Sequence, residues 1–466
     1  MKGVFIMQEK KYLKWYNKVG YGSGDLAANM VYALLTSFVM IYLTDTVGLA
    51  PGIVGTLMMF SKFADGVTDI FFGSLIDKTH SRMGKARPWM LWSYIGNAVM
   101  LVAIFAIPET WGNVAKYAYF FIAYTLLNAV FYTANNIAYA SLTSLITKNG
   151  NERVQMGSIR FMFSLATNLV VASITINAVA SMGGGSVGWR NVALVYAVIG
   201  LIVNTISVFS VKELPDSELE FKQETEAAAP VEKKMSLLDS IRLLLRNKYY
   251  VMIALIYIFM YMQTGIAGVG IYYMTYILGN PSLLGTFSMA SMFPMIIGLA
   301  FTPFLVKKLK GMYKVNLYGY CASFVFRVLF VVAGYMQNIP MMLLTMAIAG
   351  LCASPLTGDL NALISAASDY TYRMEGKRVD GTMFSCSSLG IKVGSGIGTA
   401  LSGWLLAAGG YVANAAVQAQ SCINMLNFLY LWFPLITLGI MAVLLFNLKV
   451  EKANSDWDKA HAVEAK

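Results

Sequence analysis

The sequence predicts an all-α polytopic membrane protein with about twelve transmembrane helices arranged as two six-helix halves. Three observations carry this expectation. The 466 residues are 57% hydrophobic and only 13% charged, with a mean hydropathy of +0.60. A soluble domain carries about 25% charged residues, so this chain lacks the polar surface that water requires. Apolar runs of membrane-spanning length recur along the chain, and one long hydrophilic connection divides them into two equal sets.

The spans fall at roughly 19–45, 51–76, 88–107, 116–146, 154–181 and 189–211, then 249–277, 282–306, 315–336, 340–368, 382–408 and 424–448. The expected organisation is an N-terminal half 1–211, a linker 212–248, a C-terminal half 249–448 and a tail 449–466. The linker carries Glu213, Asp216, Glu218, Glu220, Glu224 and Glu226. After Ala-Ala-Ala-Pro comes an amphipathic stretch, Met235–Lys248, which is expected to lie along the membrane surface. The Gly-rich Met182–Gly188 segment follows no strand, so it reads as an outside turn and not as a phosphate cradle. No cleavable leader is expected, because the N-terminus is basic and polar up to Lys18.

Lys and Arg set the orientation. Lys2, Lys10, Lys11, Lys14 and Lys18 precede the first span, and Lys78, Arg82, Lys85 and Arg87 lie between the second and third. Lys148 and Arg153, then Lys307, Lys308, Lys310 and Lys314, and finally Arg373, Lys377 and Arg378 occupy alternate later loops. The opposite loops hold only Lys116 and Arg190. The positive-inside rule therefore puts both termini and the linker in the cytoplasm of a multi-pass protein of the cell (inner) membrane. The net charge of +11 is explained by these loops, and nucleic acid is not a partner. The four cysteines, Cys321, Cys352, Cys386 and Cys422, lie in or beside apolar segments without CxxC spacing, which fits packing and not disulfides or metal.

Ionisable groups at membrane depth are costly and mark function. The second span holds Lys62, Asp65 and Asp69, and the first holds Asp25 and Asn29. The fourth holds Asn128, Thr133, Asn135 and Asn136, and the fifth holds Arg160. Arg327, Asp359 and Lys392 lie in the second half. At a rise of about 1.5 Å per residue, Asn29, Asp65, Asp69, Asn136, Arg160 and Lys392 all sit roughly 10–18 Å from a cytoplasmic helix end, in one layer. Asp65 and Asp69 are four residues apart and share a helix face. Two carboxylates so close do not both ionise comfortably in a dry site, so either one holds a proton or a small cation sits between them; the alternative is that Lys62 and Lys392 neutralise them as buried ion pairs. Asn and Arg read hydroxyl-rich solutes as donors and acceptors, and Tyr132, Tyr139 and Phe163 are candidates to stack on sugar rings. Arg327 has no evident matching acid and reads as structural.

The run Tyr21-Gly-Ser-Gly-Asp-Leu-Ala-Ala-Asn29, with Tyr42-Leu-Thr-Asp45-Thr-Val-Gly-Leu, resembles the opening of the glycoside–pentoside–hexuronide:cation symporters, a branch of the major facilitator superfamily. The resemblance continues through Asp65-Gly-Val-Thr-Asp69, Arg82-Met-Gly-Lys-Ala-Arg-Pro-Trp89, Arg160-Phe, Asp369-Tyr, Arg378-Val-Asp-Gly381 and Lys392, and so covers essentially the whole chain. It implies a major facilitator fold with Asp65, Asp69 and Thr133 at the site of a coupling cation, Na+ or H+, with Li+ as a further candidate. It places Asn29, Asn136 and Arg160 at or beside sugar-site positions and matches Lys392 to a lysine of the eleventh helix; Tyr139 joins them as a solute contact. The chain departs from melibiose permease at Asn29 and Asn136, where that protein has aspartates, and at Thr68 and Ala140. The loss of two acids points to a different glycoside, such as one bearing an anionic group.

The expectation is a secondary active symporter, working as a monomer in the lipid bilayer on a small-molecule sugar, with no resident cofactor. Asp77, Arg82, Lys85 and Arg87 are expected to act as a cytoplasmic gate. A lipid or lysolipid transporter on the same scaffold is the alternative. An enzyme is not expected, because His80 and His461 are the only histidines and no nucleophile has a neighbouring base.

Overall fold

The computed structural model describes residues 10–215, 218, 242, 244–375, 383 and 385–464. These form helices and turns with no strand, and nine helices among them are long and apolar enough to cross a membrane. The chain is an all-α polytopic membrane protein. The greater part of the amphipathic 235–248 stretch, the acidic run 220–226, and Lys377 and Arg378 lie outside the described residues.

Contacts divide the chain into two compact units, Met1–Leu35 with Ala64–Glu232, and Thr36–Phe63 with Lys233–Lys466. The first unit starts with α1 (Trp15–Gly22) and the beginning of α2 (Gly24–Ile41), separated at Ser23. It continues with the later part of α3 (Pro51–Asp77), then α4 (Arg87–Ile104), α5 (Asn113–Thr125), α6 (Thr133–Ile146), α7 (Gly150–Ser181) and α8 (Gly185–Ser210). α3 is 27 residues long but is not among the nine apolar helices, since Lys62, Asp65 and Asp69 crowd its middle. The core of this unit includes Tyr21, Met90, Tyr139, Leu142, Met156 and Val208. Two buried amides bind its helices together: Asn135 of α6 and Asn204 of α8 both donate to the Met90 carbonyl of α4, at 2.7 and 3.0 Å. Each amide satisfies itself on backbone, as a buried polar group must.

The second unit holds the end of α2, a π-helical turn Tyr42–Thr46, the start of α3, and α9 (Lys248–Ile266), α10 (Val269–Tyr276), α11 (Leu283–Leu309), α12 (Met312–Tyr335), α13 (Ile339–Glu375), α14 (Ser385–Ala408), α15 (Gln420–Asn427), α16 (Phe433–Asn447) and α17 (Val450–Glu464). The continuous seventh span expected from sequence is two helices, broken where Gly265, Gly268 and Gly270 cluster. α9 and α14 pack at backbone distance because Gly390, Gly394 and Gly398 line one face of α14. A Cβ on Gly394 would stand 2.4 Å from the Ile258 carbonyl oxygen, and one on Gly398 would stand 2.2 Å from that of Met262. This is the small-residue spacing that lets membrane helices touch. The tail is helical and docked: Arg373 pairs with Asp458 at 2.8 Å, and Asn454 donates to the Ala366 carbonyl.

Residues 36–63 are early in sequence yet hydrogen-bond within this second unit. The Asp45 carboxylate accepts from the hydroxyls of Thr44 (2.7 Å), Tyr276 (2.6 Å) and Tyr411, and its carbonyl accepts from Asn414. Thr44 also meets the Tyr272 hydroxyl at 2.8 Å, and Trp404 donates to Thr56. This is a clasp of hydroxyls around one acid.

Candidate functional site

The site of interest in the first unit is built from α2, α3, α6 and α7. Asp65 is 8% exposed on α3, and its carboxylate accepts the hydroxyl of Thr133. Thr133 opens α6 directly after a π-helical stretch, Leu126–Tyr132, and its hydroxyl also lies 2.8 Å from the Asn128 carbonyl. A π turn inserts a residue and re-aims the side chains that follow, which is how Thr133 comes to face α3. Thr68 donates to the Asp65 carbonyl at 3.1 Å. Asp69, one turn further, is half-buried. Among the described residues no cluster of three or more His, Cys, Asp or Glu side chains is placed to hold a metal. A cation at Asp65 and Asp69 would therefore draw its other oxygens from hydroxyls and carbonyls, as hard cations accept.

Arg160 of α7 lies beside α2. Its Nε donates to Asp25 at 2.6 Å, and its Nη1 approaches the Tyr21 hydroxyl at 3.4 Å. Its guanidinium sits 4.0 Å from the Tyr139 ring centroid. Tyr139 is 1% exposed, and its hydroxyl donates to the Tyr21 carbonyl, so it supports Arg160 from within the core. Asn29 donates to the Asp25 carbonyl at 2.8 Å and accepts from Asn168 at 2.9 Å. Asn136 is exposed on α6, whereas its neighbour Asn135 is buried. The structure thus joins Arg160, Asn29 and Tyr139 in one network through Asp25, and joins Thr133 to Asp65. Asp25 and Asn168 are the members that sequence reasoning did not assign. The four-residue spacing of Asp25 and Asn29 was the available signal.

In the second unit Lys392 is half-buried on α14. One turn on, Gly396 packs against the root of Lys62 on the early part of α3; a Cβ there would stand 3.5 Å from that of Lys62.

The basic loop after α3 folds around Gly84, which has φ of +108°. Glu213, from the segment after α8, accepts the backbone N–H groups of Lys85 (2.7 Å), Ala86 and Arg87 (3.0 Å each) and so caps α4. Arg87 is further held by the Met83 and Val211 carbonyls, while Asp77 and Arg82 are exposed. The second unit repeats the device. After Gly311, with φ of +147°, Glu451 from the segment following α16 accepts from the first N–H groups of α12, Met312 at 3.1 Å and Tyr313 at 2.8 Å.

Comparison with known proteins agrees with this architecture. A family model described as MFS/sugar transport protein matches residues 20–452. The isoprimeverose transporter of Lactiplantibacillus pentosus is 29% identical over 98% of this chain and 94% of its own. The putative glycoside/cation symporter YagG of Escherichia coli (strain K12) is 27% identical over 94% of this chain and 92% of its own. The crystal structure of the nucleoside transporter NupG superposes with a TM-score of 0.61 over 93% of this chain and 98% of that one, at 14% identity, a likeness of fold alone. The match spans nearly all of the helices described above, and the relatives are transporters: the chain belongs to the MFS/sugar transport protein family.

Proposed function

We propose that the chain is a secondary active symporter that takes up a glycoside, oligosaccharide or hexuronide with Na+ or H+, by alternating access of two six-helix halves whose termini and linker face the cytoplasm. The observation that carries this is the buried Asp65 carboxylate accepting from Thr133, on the same unit as the Asp25–Arg160–Asn29 network. A carboxylate held by a hydroxyl offers two oxygens to a small cation, or a seat for one proton. Arg160, already neutralised by Asp25, keeps N–H donors for solute hydroxyls. Asp69 completes the coupling site and Asn136 joins the solute contacts, while Tyr139 acts through Arg160, whose guanidinium it backs; for Lys392, on the second unit, the family resemblance is the support. Asp77, Arg82, Lys85 and Arg87 form the gate. The names of the relatives, an isoprimeverose transporter and a glucuronide carrier homologue, support the solute class, and the resemblance to glycoside–pentoside–hexuronide:cation symporters narrows it.

The test is uptake by proteoliposomes of a panel of glycosides and hexuronides under separate sodium and proton gradients. Gradient-dependent accumulation is expected for at least one solute. Asp69→Asn is expected to abolish uphill accumulation while sparing exchange. Full gradient-driven uptake by Asp69→Asn would remove the coupling assignment, and transport of lysolipid in place of sugars would remove the solute assignment.

A further inference from the structure

Arg327 lies on α12, about 22 Å along the helix from Met312 at roughly 1.5 Å per residue. A guanidinium stays protonated in any protein environment, and a cation at membrane depth is costly unless something compensates it. The ion pairs of the described residues are elsewhere. Arg327 forms no ion pair or hydrogen bond among them, and its contact is the face of Phe330, 4.7 Å from the ring centroid. An aromatic face offsets a small part of such a cost. The charge lines a cavity of about 250 Å³ inside the second unit, together with Gln263 of α9, Ser288 and Ser291 of α11, Phe287 and Tyr430. Gln263 spends its amide N–H on Thr437, and Ser288 donates to its own helix at the Leu284 carbonyl. Arg327 is therefore the cation that the cavity presents. Most of the remaining wall is apolar: Ile266, Leu284, Met292, Met346 and Leu429.

We infer that this cavity is a binding site for an amphiphilic oxyanion, a carboxylate or phosphate on a small apolar body, with Arg327 as the anchoring charge. The guanidinium fork matches either oxyanion geometrically, and the volume suits a short acyl chain or the head of one phospholipid. The inference is independent of the coupling site, since all of its residues belong to the second unit. It stands whether or not the anion is the transported solute.

The experiment follows thermal unfolding of the purified full-length protein in dodecyl maltoside micelles, which carry no phosphate or carboxylate, as hexanoate is added, against its uncharged isostere hexanamide. Hexanoate is expected to raise Tm with saturation, and hexanamide is not. In Arg327→Gln the half-maximal hexanoate concentration is expected to rise about tenfold or more, the loss of a charge-assisted contact. Repeating the titration with phosphatidylglycerol added to the micelles separates the sources. If that lipid removes the hexanoate increment, the occupant is a lipid phosphate; if the increment survives, it is a soluble anion. Either supports the site. Should Arg327→Gln fail to fold, Ser288→Phe, which fills the cavity and keeps the charge, must lose the response. An undiminished response in the variant that folds, or an equal effect of hexanamide, would overturn the inference.

Discussion

Thr133 and Asp25 show what one side chain does here. Thr133→Val keeps shape and removes the hydroxyl that Asp65 accepts. A hydrogen bond to a charged group contributes about 1.5–3 kcal/mol, so the cation concentration for half-maximal uptake is expected to rise by about tenfold or more. Thr133→Ser should restore most of it, as read in a sodium or proton titration of transport. Asp25→Asn leaves Arg160 without its counter-charge. Breaking a buried pair costs about 3 kcal/mol, and both partners are largely buried, at 22% and 15% exposure. A clear drop in Tm is therefore expected, alongside loss of uptake. The four-residue spacing of Asp25 and Asn29 puts them on one helix face, but Arg160 lies 135 positions away. Periodicity speaks of neighbours on one helix and is silent about which helix lies opposite. Thr133 and Asp65 were brought together in the sequence only by a family resemblance, for the same reason.

Helices are where the sequence was most legible, because a membrane span is a matter of length and apolarity. Their interruptions were less so. The π turns at Tyr42–Thr46 and Leu126–Tyr132 change hydrogen-bond offset without changing composition, so an apolar count passes over them. The two glutamate caps were also hidden: Glu213 read as one acid in an acidic linker, and Glu451 was not singled out at all. Yet each satisfies the opening N–H groups of a helix. Glu213→Ala and Glu451→Ala are each expected to cost about 1–2 kcal/mol. They should speed amide exchange at 85–87 and 312–313 respectively, with additive effects because the caps share no partner. The glycines of α14 give a sharper contrast. Gly398→Leu would drive a side chain into the Met262 carbonyl, separating α14 from α9, and should abolish a folded monodisperse protein on size exclusion. Gly73→Ala in α3 meets nothing within 4 Å, and should leave Tm unchanged or slightly raised.

At the scale of the whole chain, contact and sequence order part company. Residues 36–63 follow the first helix by number and group with the C-terminal helices by contact, a long-range association that linker composition does not encode. One hold on this segment is the Asp45 clasp, and among the described residues its donors are neutral hydroxyls and an amide. Dissolved ions screen charge against charge, with a Debye length of about 3 Å at 1 M salt. They have far less purchase on a carboxylate wrapped in O–H groups. The exposed Arg373–Asp458 pair should loosen as salt rises, freeing the tail helix to exchange its amides. The clasp should hold equally well in dilute buffer and in brine, so the second unit is fastened at one place by a bond that ionic strength can tune and at another by one that it cannot.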